Sequence, residues 1–206
     1  GMMNDYLNFL DGRVSVRRFD PDAVLPNDLI KDMLEHASYA PSGNNFQPWR
    51  VVVVKNKNKQ EDLKKLAALQ PQVATASAVF LLFGDENAYD LTWWQEFHVQ
   101  KGIITKDEAA ARAERIRQYF DLHPEDKETQ GLRLDVGLFA MNLMQVVRVY
   151  GYDSVPMRGV DFDAIKTYLD MPNGWEPILM LPVGKALQAG NPHVRKSVAE
   201  FAEIIE

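Results

Sequence analysis

The chain has 206 residues, of which 46% are hydrophobic and 25% charged, so it can bury a sizeable core and is not expected to be disordered. The net charge of −6 disfavours broad binding to nucleic acid or to anionic membranes. The absence of cysteine excludes disulfides, thiol nucleophiles and thiolate metal sites. No apolar stretch reaches the roughly 18–20 residues of a membrane span. The sequence predicts one domain over residues 2–206 of a cytoplasmic protein, with Gly1 left from tag removal.

Hydrophobic patterning in the first half predicts three helices and two strands. The helices are expected at residues 4–11, 29–39 and 58–69, and the second strand at 78–83. The first strand, Val51–Val54, is a β-branched run too short for a helix, and it is therefore expected to be buried.

The second half is expected to be mainly helical. Helices are predicted at residues 90–101, 106–120, 130–150 and 161–170, strands at 152–155 and 178–183, and a last helix from Arg195 to the C-terminus. Thr105 and Glu108 match a capping box. The helix at 130–150 is apolar around its whole circumference, which predicts burial on most sides. Because strands and helices do not alternate regularly, the predicted class is α+β.

Several common sites are excluded by their missing motifs. No two glycines have the G-x-G spacing of nucleotide-binding loops, and no P-loop or H-E-x-x-H motif is present. The four histidines are far apart in sequence, so no metal site is predicted. No G-x-S-x-G motif supports a serine hydrolase.

Three polar segments remain as candidates for one anionic ligand. In the first, Arg13, Ser15 and Arg17 alternate with valines and would share one face of an extended segment. Two guanidiniums around a hydroxyl suit a phosphate, although a solvated edge strand has the same pattern. In the second, Ala40–Arg50, prolines flank amide side chains that could contact the edge of a flat heterocycle. An ordinary helix-to-strand connection, with Trp49 in the core, is the alternative.

The third segment is Pro192–Arg195, at the predicted start of the last helix. A helix N-terminus attracts anions through its free N–H groups, and Arg195 would add a positive charge. An exposed arginine in a first turn is the more common case.

Taken together and in this order, the segments resemble the nitroreductase family of FMN-dependent oxidoreductases. The most specific matches are R-x-S-x-R at Arg13–Arg17 and A-P-S-G-N-N-x-Q-P-W at Ala40–Trp49. Supporting matches are Val155–Asp161 and Pro182–Gly184 followed by Arg195. The resemblance implies an α+β fold with a central, mostly antiparallel sheet flanked by helices. It also implies an interlocked homodimer with FMN at the interface.

In such a dimer the apolar helix at 130–150 would form the core, and the segment after Gly184 would embrace the partner. The family's FMN-binding positions carry over to twelve residues of this chain: Arg13, Val14, Ser15, Arg17, Pro41, Ser42, Asn45, Gln70, Arg158, Gly159, His193 and Arg195. The resemblance gives Arg17 and Gly159 the positions that tune the flavin, and Arg13 and Arg195 the phosphate.

Three departures from the family pattern affect these expectations. His193 stands where some members have a lysine for the phosphate, so Arg13 and Arg195 are expected to carry more of that task. Gln70 lies where some members place asparagine and lysine near the flavin. Trp93, Trp94 and Phe97 lie in the region that often covers the substrate, but core packing explains them equally well.

The resemblance implies hydride transfer from NADH or NADPH through flavin N5 to electron-poor acceptors such as nitroaromatics or quinones. No side-chain acid or base is required, which agrees with the absence of such a constellation. One alternative is a flavin-binding or sensing protein with little turnover. A hydrolase using Ser42 is a third interpretation, but it lacks a recognisable base.

Overall fold

The computed structural model describes residues 1–206, which form eight α-helices and six β-strands. The helices are α1 (Met2–Asp11), α2 (Asn27–Ala37), α3 (Lys57–Lys65), α4 (Gln72–Thr75), α5 (Leu91–Gln100), α6 (Lys106–Leu122), α7 (Thr129–Val149) and α8 (Phe162–Tyr168). The strands are β1 (Arg18–Phe19), β2 (Trp49–Val54), β3 (Ala78–Asp85), β4 (Asp153–Ser154), β5 (Trp175–Gly184) and β6 (Ala186–Gln188).

A four-stranded antiparallel sheet with strand order β2-β3-β5-β4 lies at the centre. All residues of β3 are buried, because it has a partner strand on each edge and helices on both faces. The expected α+β class with an antiparallel sheet is thus confirmed. β2 is an edge strand in which Val51, Val52 and Val53 are only half-buried, so the expectation of a buried strand there holds for Val54 alone.

The two faces of β3 support two separate hydrophobic clusters. Phe80 and Leu82 pack on one face against α2 and α7. Val79, Leu81 and Phe83 pack on the other face with residues of α3, α4 and α8. Because side chains alternate across a strand, one short run of apolar residues supplies both clusters. The sheet is consequently enclosed between two helical layers.

α7 is the helix that was predicted at residues 130–150. Its core-facing side chains recur at helical spacing: Val136, Phe139, Leu143 and Val147. On another side, Leu134, Leu138 and Met141 remain 40–64% exposed. The expectation of burial on most sides is therefore wrong for the isolated chain, which leaves an apolar stripe of three residues open.

α5 and α6 form a helical pair with a third hydrophobic cluster of its own. Both have side-chain caps at their N-termini, where Asp90 and Thr105 accept backbone N–H bonds. Trp94 is 2% exposed in a small cluster with Phe46 and Phe120, which favours core packing for this tryptophan.

The C-terminal part differs from the prediction. Residues 191–206 are exposed throughout and form no α-helix, with only a single 3-10 turn at Val198–Glu200. Short helices are marginal unless an apolar face packs against the rest of the protein, and Phe201 and Ile204 are 68% and 87% exposed. The predicted helix from Arg195 is therefore wrong, and no helix N-terminus is present there to bind an anion.

None of the helices combines the length and the apolar character that a bilayer crossing would need.

Candidate functional site

A cavity of about 160 Å³ joins the first predicted segment to the start of the C-terminal arm, which we define as residues 189–206. Its walls come from the first and third of the three segments that the sequence singled out, together with Asn191: Arg13, Val14, Ser15, Arg17, Asn191, Pro192, His193 and Arg195. We call this space the cationic cavity. It brings six of the twelve predicted site residues together.

Local structure explains how the first segment presents its polar side chains. Val16 is 2% exposed, and its N–H donates to the carbonyl oxygen of Ser154 at 3.0 Å. Anchoring this valine leaves Ser15 and Arg17 to point away from the core, as the alternation predicts. Gly190 lies against the backbone of Ser15 so closely that a Cβ there would overlap the Ser15 carbonyl oxygen.

Arg13 has a polar atom that the chain leaves unsatisfied. Its Nη1 is buried and has no hydrogen-bond partner. A buried guanidinium N–H without an acceptor is costly, and a phosphate or another oxyanion would supply two or more acceptors in the geometry that arginine prefers. The residues of the cationic cavity therefore fit the phosphate of a nucleotide cofactor.

His193 and Arg195 contribute less to this anion-binding chemistry. The Nε2 atom of His193 contacts the carbonyl oxygen of Asp11, so this nitrogen carries the proton and a neutral ring has only an acceptor left. Nη1 of Arg195 donates to the carbonyl oxygen of Val194 at 3.0 Å, and the rest of the guanidinium is exposed. Arg13 is thus the cation most firmly placed to hold an anion.

Gln70 is linked to the turn at Arg158–Gly159 by contacts of Gln72 and Met157. The Nε2 atom of Gln72 donates to Oε1 of Gln70 at 3.3 Å and approaches the sulfur of Met157 at 3.6 Å. Met157 pairs with Met180 of β5, and Arg158 and Gly159 follow it as exposed residues. A Cβ at Gly159 would meet no atom within 4 Å, so this turn borders open space that a ligand could enter.

The loop over residues 41–47 is held in an unusual backbone conformation. Asn44, Asn45 and Gln47 have φ angles of 50°, 59° and 52°, in the left-handed region that asparagine tolerates better than most residues. The Ser42 hydroxyl accepts the Gln47 N–H at 3.0 Å and closes the loop. Strained backbone of this kind is concentrated at binding and catalytic sites.

Asp135 of α7 holds this loop in place through hydrogen bonds. It is 5% exposed, and its carboxylate accepts the Gly43 N–H at 3.0 Å and the Tyr89 hydroxyl at 2.8 Å. Burial raises the pKa of the Tyr89 hydroxyl well above its ordinary value of 10.0, and the bond to Asp135 raises it further. The Tyr89 hydroxyl therefore stays protonated and keeps donating to Asp135.

His98 of α5 orients the amide of Asn45. Its Nδ1 lies 2.7 Å from the carbonyl oxygen of Trp94, which can only accept, so Nδ1 carries the proton in the neutral ring. Nε2 then accepts from Nδ2 of Asn45 at 3.1 Å. This arrangement leaves Oδ1 of Asn45 available as an acceptor for a ligand N–H. Nε1 of Trp94 also donates to the carbonyl oxygen of Asn44 at 2.6 Å.

The predicted residues therefore form three groups within one chain. The cationic cavity, the Gln70 and Gly159 region, and the loop with Pro41, Ser42 and Asn45 are each built separately. No hydrogen bond of the loop reaches the cationic cavity; the loop bonds to itself, to α5 and to α7.

Comparisons with known proteins identify the family of the chain. The model of the Nitroreductase family matches residues 10–185. The chain is similar to the protein YdgI of Bacillus subtilis, described as a candidate NAD(P)H nitroreductase, with 31% identity over 205 residues and 97% of each chain covered.

Two solved structures extend the similarity to the whole chain. A nitroreductase-like protein from Streptococcus mutans is 99% identical, with a TM-score of 0.99 and 100% of each chain covered. A candidate nitroreductase of Exiguobacterium sibiricum, solved in complex with FMN, is 31% identical, with a TM-score of 0.90 over 98% of this chain and 97% of that one. Since the family model spans most of the sequence, the chain belongs to the nitroreductase family.

Proposed function

We propose that the protein is an FMN-dependent oxidoreductase that uses NADH or NADPH to reduce electron-poor acceptors such as nitroaromatics or quinones. The observation that carries the proposal is the buried, partnerless Nη1 of Arg13 in a cavity shared with Arg195. The doubly charged phosphate of FMN is the group that such a set of donors suits. The FMN bound to the similar Exiguobacterium protein and the NAD(P)H in the description of YdgI support the cofactor pair.

FMN, when bound, supplies the hydride chemistry at its N5 atom. The chain's own residues bind and orient it. Arg13 and Arg195 hold the phosphate, and Ser15 donates to the ribityl chain. Arg17 lies at the pyrimidine edge, where a cation stabilises the negative charge that reduction places near N1 and C2=O. Gln70 and the turn at Arg158–Gly159 contact the flavin from the same side as Arg17.

The loop with Pro41, Ser42 and Asn45 contacts the flavin ring from the partner chain of a homodimer. The separation of this loop from the cationic cavity within one chain supports that division. The stripe of Leu134, Leu138 and Met141 on α7 and the exposed apolar side chains of the C-terminal arm support an extensive contact with a second copy.

The proposal places the protein in the cytoplasm, acting on small molecules. Its lack of cysteine suits a reducing compartment. Its acidic net charge suits neither nucleic acid nor an anionic membrane surface as a partner.

The test is the visible absorption spectrum of the desalted protein after incubation with FMN. Wild-type protein should retain about one flavin per chain, whereas Arg13→Gln should lose most of it, because an amide offers fewer donors and no charge. Arg133→Gln, on the exposed side of α7, is the matched control and should retain FMN. A wild-type protein that retains no added FMN would overturn the proposal.

A second measurement separates an enzyme from a flavin-binding or sensing protein. Rapid NAD(P)H oxidation that depends on a nitroaromatic or quinone acceptor is expected. Flavin retention without such turnover would favour the sensing alternative.

A further inference from the structure

A larger cavity, of about 540 Å³, lies between the loop, α6 and α7. We call it the acceptor cavity. Its volume falls within the range of small-molecule sites in proteins. It is lined by Gly43, Asn44, Tyr89, Arg112, Arg115, Ile116, Tyr119, Phe120, Asp126, Gly131, Leu134 and Asp135. None of the twelve predicted site residues lies in it, but Gly43 and Asn44 stand between Ser42 and Asn45 of the loop that we propose contacts the flavin.

One wall of this cavity suits a flat, apolar molecule. Ile116 and Phe120 of α6 are buried beneath it, and the Phe120 ring lies 6.0 Å from the Tyr89 ring and 5.8 Å from the Phe46 ring. Leu134 of α7 lines the opposite side, at the edge of the stripe that we propose contacts a second copy. Aromatic surfaces arranged in this way bind aromatic ligands by offset or edge contacts.

The other wall carries two cations without an ion pair. Arg112 and Arg115 lie three residues apart on α6, so both face the cavity, and neither makes a salt bridge. The guanidinium of Arg112 lies 5.6 Å from the Trp94 ring centroid. Arg117 on the same helix behaves differently, because it is paired with Glu114 at 2.5 Å and with Asp121 at 2.6 Å.

The two carboxylates of the cavity are already engaged by other donors. Asp135 accepts from the Gly43 N–H and from the Tyr89 hydroxyl, and Asp126 accepts from the Tyr119 hydroxyl. These acids keep their negative charges but are hydrogen-bonded within the chain, whereas Arg112 and Arg115 are the charged side chains of the cavity that have neither an ion pair nor a hydrogen bond.

We propose that the acceptor cavity binds the electron acceptor and selects acceptors that carry a carboxylate beside an aromatic or other apolar body. Arg112 and Arg115 bind the carboxylate, while the apolar wall holds the body against Gly43 and Asn44. This inference rests on the proposed function. With 4-nitrobenzoate as the probe, NAD(P)H gives a hydride and the solvent a proton; the nitro group becomes a nitroso group, and water and NAD(P)⁺ leave.

Steady-state kinetics with 4-nitrobenzoate and its uncharged methyl ester test this selection. The double variant Arg112→Gln/Arg115→Gln should raise KM for the acid by about fivefold, since charge-assisted bonds at a partly exposed site are worth roughly 1 kcal/mol. Its kcat, and its KM for the ester, should stay within about twofold, because the apolar wall is intact. Arg117→Gln, whose partners lie outside the cavity, should match wild type with both acceptors. Equal changes in KM for acid and ester would overturn the proposal.

Calorimetric titration with 4-methylbenzoate, which cannot be reduced, separates this inference from the proposed function. Wild-type protein should bind the acid more tightly than 4-methylbenzamide, and added salt should weaken only the acid. The double variant should lose this difference. An active flavoenzyme that binds the two alike refutes the acceptor preference alone. A protein that binds 4-methylbenzoate selectively but retains no FMN refutes the proposed function instead.

Discussion

The loop over residues 41–47 is held by buried hydrogen-bond partners, whereas the polar side chains that line the cationic cavity have few hydrogen-bond partners within the chain. Asp135 and His98, 5% and 6% exposed, fix the loop at Gly43 and Asn45. In the cavity, a buried nitrogen of Arg13 has no acceptor, and every residue of the adjoining arm from 191 onward is exposed.

This difference indicates which of the two regions the chain completes alone. The loop is preorganised, because its strained φ angles are compensated by bonds to α5 and α7. The cavity retains a guanidinium nitrogen of Arg13 without an acceptor, which an oxyanion would satisfy, and the arm retains exposed apolar side chains, which another surface would cover. In proteins, polar groups without hydrogen bonds and apolar side chains without packing partners occur mainly at functional sites.

A charge placed in the exposed stripe of α7 should have the largest effect, on both the oligomeric state and the retention of FMN. Leu138→Glu would bury an unpaired carboxylate in the proposed dimer contact, at a cost of about 3–5 kcal/mol. We expect a monomer that retains little FMN although its loop is intact, measured by light scattering after gel filtration and by flavin absorbance. Ile103→Glu, at a position 66% exposed after α5, is the control. A dimeric, flavin-containing Leu138→Glu protein would show that the stripe is not the interface.

A smaller effect is expected when the loop loses its support from α5. In His98→Phe, the Asn45 amide has no acceptor for Nδ2 and is free to rotate, so the FMN dissociation constant should rise about fivefold, or roughly 1 kcal/mol. His98→Gln keeps an acceptor oxygen and should recover part of the affinity. Fluorescence titration with FMN measures both variants. Unchanged affinity in His98→Phe would mean that the Asn45 amide does not contact the flavin.

The smallest effect concerns the buried bond between Tyr89 and Asp135. Because the fold raises the pKa of the Tyr89 hydroxyl, its contribution to stability is present below pH 10.0, the ordinary pKa, and is lost as the pH rises above it. Wild-type protein should lose stability above that pH more steeply than Tyr89→Phe, by less than ~1.4 kcal/mol per pH unit. Tyr119 and Tyr168, whose pKa values are also raised, are present in both proteins. Urea unfolding between pH 9 and 11 measures the two slopes, and parallel slopes would contradict the assignment.

Most helices and strands could be predicted because they depend on local periodicity, although the four-residue helix α4 was not predicted and the expected C-terminal helix is absent. α7 and β3 carried apolar patterns long enough to be recognised, and the two motifs at Arg13–Arg17 and Ala40–Trp49 pointed to the family. β1 and β6 escaped prediction, since strands of two and three residues owe their existence to pairing with each other.

The supports of the loop could not be found from the sequence in this way. Asp135 lies 92 residues from Gly43, and His98 lies 53 residues from Asn45. A single acidic residue beside the apolar face of α7 was the one available signal, and it was overlooked because 29 acidic residues offered no reason to choose it.

The sequence alone determined the family, the α+β class and the polar segments that became the cationic cavity, because motif order and hydrophobic period are local properties of the chain. Tertiary structure decided the rest. It placed Arg112 and Arg115 beside the loop, fixed the Asn45 amide through His98, and left residues 191–206 without a helix. In each case the deciding contact, or its absence, involves residues far apart in the sequence, where neither spacing nor propensity carries information.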